Sequence, residues 1–441
     1  MRFHKLWKTG CAWMLAGLLP LLASCAPGED VPSASASSSS RETAASATAA
    51  ATQPAPPSAS APPPSAFRGT TAARTTAASP SKKPTAATSP ASTASPAETA
   101  SSAALSREER AAELLRTMTL EEKAGQVFFV RCNKASALSD IARYKVGGLI
   151  LFASNAKGET KASLSATLAD YQKASDIPLL IGTDEEGGTV NRLSLYKAFR
   201  AVPFHSPQEL MQEGGLALVS SDATEKAQLL KSLGLNVNLA PVCDVSTDPA
   251  DYIYPRTLGK PAAETADYVR AVVQATKAQG VGSVLKHFPG YGNNADTHTG
   301  IATDTRPFES FEQSDFLPFE AGIAAGAGGI LVSHNIVTCM DEDLPASLSP
   351  AVHAVLRDRL GFDGVVMTDD LAMNAIGDYT GSEQAAVLAL NAGNDLLIAT
   401  DFDVQIPAVI AAVKNGGIPS ARLDEAVMRV LLWKMDLGLI A

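Results

Sequence analysis

Residues 262–290 read AAETADYVRAVVQATKAQGVGSVLKHFPG. A helix-sized segment, Ala262–Gln279, leads into a short strand-like run, Ser283–Lys286, which ends on Lys286 and His287 and is followed by Phe288-Pro289-Gly290. A strand built around Val284-Leu285 has no polar face to offer water, so it belongs in a sheet covered on both sides. A helix directly before it supplies part of that cover, and alternating helices and strands are how parallel strands are joined.

The same unit recurs in both directions. Candidate strands lie at Val127–Val130, Gly148–Phe152, Pro178–Thr183, Val237–Pro241, Ser283–Lys286, Ile330–Ser333, Gly364–Thr368 and Asp395–Ile398, with further helix-sized segments at Phe311–Ala325 and Leu423–Leu437. Eight strands in the segment 106–441 fit an α/β fold of the (β/α)8 TIM-barrel type. An open doubly wound sheet is the alternative, but no phosphate-binding G-x-G-x-x-G follows the first strand to support it. Ser106 with Glu109, and Thr119 with Glu122, form capping-box patterns that set the start of order at Leu105.

In a barrel the residues just after the strands gather at one mouth, and the unusual polar side chains fall there. Asp184-Glu185-Glu186-Gly187-Gly188 and then Arg192 follow the third strand; Asp244 and Arg256 follow the fourth. The fifth ends in Lys286-His287, with Asp296-Thr297-His298 in the same loop; the sixth ends at His334 and the seventh at Asp369-Asp370. Singly each has an ordinary reading: Asp184 to Glu186 as a solvated acidic turn, Arg256 as a surface charge, His287 and His334 as satisfied core histidines, Asp369 or Asp370 as a helix cap. Their common placement favours a site. Carboxylates, histidines, Lys and Arg with no phosphate loop, no G-x-S-x-G elbow and no C-x-x-C or H-E-x-x-H suit acid–base or covalent chemistry on a neutral, hydroxyl-rich substrate, with neither metal nor cofactor called for. The residues alone point to a barrel hydrolase, with a glycosidase as the favoured class.

At these residues the sequence resembles family 3 glycoside hydrolases, and specifically the β-N-acetylglucosaminidases that act on peptidoglycan fragments. The similarity runs from about Thr117 to the C-terminus and rests on Asp184-Glu185-Glu186-Gly187-Gly188, Lys286-His287-Phe288-Pro289-Gly290, Asp296-Thr297-His298 and Val366-Met367-Thr368-Asp369-Asp370-Leu371-Ala372-Met373. The resemblance implies Asp369 as nucleophile, Asp184, Arg192, Arg256, Lys286 and His287 as holders of the terminal sugar, and His298 paired with Asp296 as acid/base. It implies retention through a glycosyl-Asp369 intermediate, on an oligosaccharide ending in β-linked N-acetylglucosamine (GlcNAc). A phosphorylase using phosphate in place of water, or a surface glycan-binding protein without catalysis, are the alternatives. Gly290 and Gly292 suggest a loop that closes over bound sugar. Tyr291 departs from a histidine common in the family, and Thr189 from a frequent arginine; both bear on the preference for the aglycone. A family second domain is not expected after Gly438, so the acid/base is expected from the barrel itself, and a monomer is the default.

The N-terminal quarter reads differently. Arg2, Lys5 and Lys8 precede the apolar stretch Cys11–Ala23 and then Leu22-Ala23-Ser24-Cys25, the anatomy of a secretory signal, residues 1–25, closing on a lipobox with Cys25 as the lipidated residue. Residues 26–105 are almost wholly Ser, Ala, Thr and Pro, expected as a disordered tether from an extracytoplasmic membrane anchor to the catalytic segment. The net charge of −10 becomes about −14 on the remainder once the +3 of the signal and +1 of the tether are set aside, a poor match to nucleic acid. The remaining cysteines, Cys132, Cys243 and Cys339, sit in apolar neighbourhoods and read as buried thiols.

Overall fold

A computed structural model describes residues 105–377 and 379–441. The signal segment, Cys25 and the tether as far as residue 104 lie outside them. Among the described residues no helix is long and apolar enough to cross a membrane.

Eight parallel strands form the centre: β1 Phe128–Arg131, β2 Gly148–Leu151, β3 Leu180–Thr183, β4 Val237–Asn238, β5 Gly282–Phe288, β6 Gly329–Val332, β7 Val365–Thr368 and β8 Leu397–Ala399. They pair in the order β8-β1-β2-β3-β4-β5-β6-β7. A parallel bridge between Met367 and Leu396 joins the two ends, with Thr368 N donating to Leu396 O at 3.2 Å and Ile398 N to Thr368 Oγ1 at 3.1 Å. The sheet is therefore a near-closed barrel ringed by helices, as the sequence predicts. All eight expected strands are present with shifted ends. The shortest, β4, ends at Asn238, but its contact with β5 continues in a shifted register, with Val284 N donating to Ala240 O at 3.2 Å, Lys286 N to Pro241 O at 3.3 Å and a bridge between Val242 and Lys286.

Inward-facing side chains fill the barrel: Phe129, Ile150, Leu180, Val237, Leu239, Val284, Leu331, Val365, Met367, Leu396 and Ile398. Phe129 needs room that only glycine leaves, since a Cβ on Gly148 or Gly182 would stand 2.7 Å from its ring. Trp433, from the last helix Ser420–Asp436, closes the floor so tightly that a Cβ on Gly328 would lie 2.0 Å from its Nε1. At the β7–β8 seam the buried Asp395 carboxylate accepts from Arg357 at 2.5 Å, Arg422 at 2.9 Å, Arg429 at 3.2 Å and Val366 N at 3.0 Å, so both of its oxygens are engaged. Both capping boxes form, at Ser106/Glu109 and Thr119/Glu122. Cys132 and Cys243 are buried as expected, but Cys339 is exposed. It lies in the turn after the short strand Ile336–Val337, where Val337 is buried but Ile336 and Met340 are only half-buried.

Lys434 is fully buried, its ammonium donating to Gln126 Oε1 at 2.6 Å, and burial pushes its pKa down to about 7. A base whose folded pKa lies below its unfolded value destabilises the fold fully below the folded pKa, and the penalty is relieved as pH rises toward the unfolded value. Lys434→Met is therefore expected to stabilise the protein by about 1–3 kcal/mol near pH 6, with the gain vanishing toward about pH 10. Urea unfolding of both proteins across that range measures it. A less stable Met variant at pH 6 would mean that the Lys–Gln bond outweighs the burial cost.

Candidate active site

A cavity of about 770 Å³ opens at the C-terminal ends of the strands, lined in part by Asp184, Glu186, Arg192, Arg256, Lys286, His287, His298 and Asp369. Each strand delivers its residue where the ladder stops and the chain turns away. The acidic triplet after β3 is not a solvated turn: Glu185 and Glu186 are buried, and the three carboxylates go three ways. Glu185 turns back to accept from the backbone N–H groups of Arg192 at 3.1 Å, Leu193 at 2.7 Å and Ser194 at 3.2 Å, so it shapes the loop that carries Arg192. Glu186 takes both nitrogens of the Arg256 fork, at 3.0 and 2.8 Å, and Lys286 Nζ at 2.7 Å. Asp184 faces the cavity, with Lys286 Nζ at 2.7 Å and Arg192 at 3.7 Å.

This network holds Glu186 and Lys286 in their charged forms. Burial works to raise the Glu186 pKa, but the Arg256 and Lys286 charges outweigh it and hold the carboxyl far below the usual carboxylate range. Burial likewise works to lower Lys286, and Asp184 and Glu186 reverse it. Arg192 Nε is buried without a hydrogen-bond partner in the protein.

His287 is oriented from both nitrogens. Nδ1 lies 2.8 Å from the buried Asp244 carboxylate and Nε2 lies 3.2 Å from Arg256 Nη2. Arginine can only donate, so Nε2 accepts and the proton sits on Nδ1, facing Asp244. The Lys286–His287 and Phe288–Pro289 peptides are cis.

Asp369 and Asp370 follow β7. Burial would raise Asp369, but its pKa is held below the usual value: His334 and His287 favour the carboxylate when they are protonated, and the Asp370 N–H at 2.8 Å and the Lys286 charge favour it throughout. Asp370 moves the other way, raised by burial and by its neighbour's charge, and is tied down by Thr400 Oγ1 at 2.5 Å and by the Thr400 and Ala372 N–H groups at 3.1 Å. His334 is buried, between Ser347 Oγ at 2.7 Å and the Asp370 carbonyl at 3.1 Å. Across the mouth, His298 Nδ1 lies 2.7 Å from Asp296 Oδ1, with the imidazole side chain 62% exposed, so Nε2 remains free at the cavity. Asp184, Glu186, Arg192, Arg256, Lys286, His287, His298, Asp369 and Asp370 line this one cavity; Asp296 reaches it through His298, while Glu185, Asp244 and His334 stand behind its wall.

A family model for the glycosyl hydrolase family 3 N-terminal domain matches residues 119–432. The chain belongs to glycoside hydrolase family 3. It is 31% identical to the beta-hexosaminidase LpqI of Mycobacterium tuberculosis over 344 residues, 75% of this chain and 84% of that protein. The solved structure of a family 3 β-N-acetylglucosaminidase from Paenibacillus sp. is similar with a TM-score of 0.69 at 32% identity, over 74% of this chain and 64% of the other. That of M. tuberculosis LpqI is similar with a TM-score of 0.66 at 29% identity, over 73% and 95%. This family 3 chain is thus a glycoside hydrolase acting on β-linked sugars.

The family 3 site also holds residues that sequence reasoning passed over. Glu186 is the partner that Arg256 and Lys286 share, and Asp244 orients His287; both were visible as acids after strands but not by role. Arg131, at the end of β1, stacks over Phe152 at 4.3 Å and lines the cavity with Tyr252 and Thr400. A lone arginine, tyrosine or threonine after a strand carries no signal without the barrel that assembles them.

Proposed function

We propose that this glycosidase removes terminal β-linked GlcNAc, with Asp369 as nucleophile, His298 paired with Asp296 as acid/base, and Asp184, Arg192, Arg256, Lys286 and His287 holding the terminal sugar. The observation that carries the reading is the Asp296–His298 contact at the mouth of the cavity that Asp369 lines. A carboxylate on Nδ1 fixes the tautomer and stabilises the imidazolium, leaving Nε2 to protonate the leaving oxygen and then to deprotonate water. Retention follows from two successive displacements at the anomeric carbon, the first by the Asp369 carboxylate expelling the aglycone and the second by water expelling the carboxylate. Lipidation at Cys25 would hold the enzyme on the outer face of a membrane, with peptidoglycan-derived oligosaccharides as the natural substrates within reach.

The test is cleavage of diacetylchitobiose and of aryl β-GlcNAc against the aryl β-glucoside, with and without phosphate. Selective release of GlcNAc supports the reading; GlcNAc-1-phosphate formed in phosphate makes the protein a phosphorylase; binding without cleavage of any substrate sinks it. His298→Ala is expected to lower kcat/KM for chitobiose by about 10²–10⁴-fold, the usual worth of a general acid. The dinitrophenyl glycoside, whose leaving group needs no proton, is expected to lose little. An equal loss on both substrates would count against an acid role for His298.

A further inference from the structure

The loop that carries Asp296 and His298 is held more firmly than its glycines suggest. Gly290 and Gly292 have φ of +130° and +54°, and a Cβ on them would lie 2.2 Å from Asp315 Oδ1 and 2.6 Å from Arg306 Cζ. They permit close packing on the paired Arg306 and Asp315, whose closest approach is 2.9 Å. Arg306 also donates to the Gly290 carbonyl at 3.2 Å, and Asn294 bridges Tyr291 O at 2.7 Å to Asp304 Oδ2 at 2.8 Å.

Tyr291 ties the two ends of this loop together. Its backbone N–H donates to Asp244 Oδ1 at 2.7 Å, on the same carboxylate whose other oxygen faces His287 Nδ1. Its phenol oxygen accepts from Thr297 N–H at 2.9 Å and lies 3.0 Å from Thr297 Oγ1. Tyr291 is 3% and Thr297 2% exposed. The residue between the two members of the dyad is thus buried and clamped, while the dyad itself faces outward. The Tyr291 ring also meets His287 edge-on, with centroids 5.8 Å apart.

We propose that Tyr291 is a positioning residue for the acid/base: through Thr297 its phenol fixes the Asp296–His298 turn in a catalytic pose before sugar binds, and through Asp244 it couples that turn to the sugar-facing His287. The proposal rests on His298 being the acid/base. A phenylalanine at 291 keeps the ring packing but leaves the Thr297 N–H buried without an acceptor, so the turn must open to water to satisfy it. Burial pushes the Tyr291 phenol up to about 12, which keeps the hydroxyl neutral throughout the working range.

The experiment compares Tyr291→Phe and His298→Ala with wild type in the full chain, reading kcat/KM on chitobiose and on dinitrophenyl β-GlcNAc. kcat/KM reports the first displacement, in which only the poor leaving group needs a proton. Tyr291→Phe is expected to lose about ten- to a hundred-fold on chitobiose and less than about threefold on the activated glycoside. Retained activity on the latter shows that the barrel and nucleophile are intact. Equal losses on both substrates, or none on either, would overturn the positioning role. If His298→Ala itself shows no dependence on the leaving group, the acid/base reading fails and this inference with it. If His298→Ala shows the dependence and Tyr291→Phe does not, only the role of Tyr291 fails.

Discussion

Replacing Asp369 with alanine is expected to lower kcat/KM by about 10⁴-fold or more, on chitobiose and on the dinitrophenyl glycoside alike. The absence of leaving-group dependence separates this residue from His298: a nucleophile is needed whatever departs, whereas an acid is needed only for a poor leaving group. The two adjacent carboxylates are already sorted by their surroundings. Asp369 has its pKa lowered: protonated His334 and His287 would favour the carboxylate, and at neutral pH the Asp370 N–H and the Lys286 charge still do, so it is ionised there. Asp370 is raised by burial and by Asp369, and its oxygens are engaged by Thr400 and Ala372. Environments that push neighbouring groups apart in pKa are how one fold assigns two roles to one residue type. Peptide mass spectrometry after reaction with a slowly turned-over fluorinated glycoside is expected to find the adduct on Asp369. A variant retaining a tenth of wild-type activity, or an adduct on Asp370, would remove Asp369 from that role.

Much of the fold was legible because its signals are local. The apolar runs that became β1 to β8 needed no partner to be recognised, and the capping boxes at Ser106 and Thr119 depend only on a residue three positions away. The site was legible as a place, the ends of strands, more than as a set of roles. Asp184, Glu185 and Glu186 are three consecutive acids, and nothing in their order says that one faces the cavity, one folds back on backbone N–H groups and one pairs with Arg256 across 70 positions of chain. Tyr291 was visible only as a departure from a histidine, since its meaning lies in Thr297 and Asp244. Cys339 misled because apolar neighbours say nothing of a turn, and residues 338–340 form one at the surface. Lys434 gave no warning: a lysine near the end of a helix reads as a cation on the favourable end of the dipole, and only tertiary packing encloses it.

Lys286 ranks next in expected effect, and Lys286→Met tests whether the charges of the site act as one network. The ammonium is 2% exposed and sits 2.7 Å from both Asp184 Oδ1 and Glu186 Oε1. Methionine keeps most of the stem volume and removes the charge, leaving those carboxylates with Arg256 and the more distant Arg192. Breaking a buried ion pair from one side costs about 3–5 kcal/mol, so a loss of stability of that order is expected in urea at neutral pH. The pH dependence carries a sign. Glu186 is depressed in the folded state, so its contribution is present above the unfolded carboxylate pKa and lost as pH falls through the lower folded value. Without Lys286 the folded value rises, and acid unfolding is expected to begin closer to neutrality. Lys286 also helps to hold Asp369 ionised, so the acid limb of kcat/KM is expected to move up in the same direction, with activity lower by about 10²–10³-fold if Lys286 holds the sugar as proposed. Adding Glu186→Gln to the Met variant removes the carboxylate left short of cations, and the pair is expected to be more stable than the sum of the single changes predicts. Additive losses, with both acid limbs unmoved, would show that the carboxylates are satisfied independently and that Lys286 serves the sugar alone.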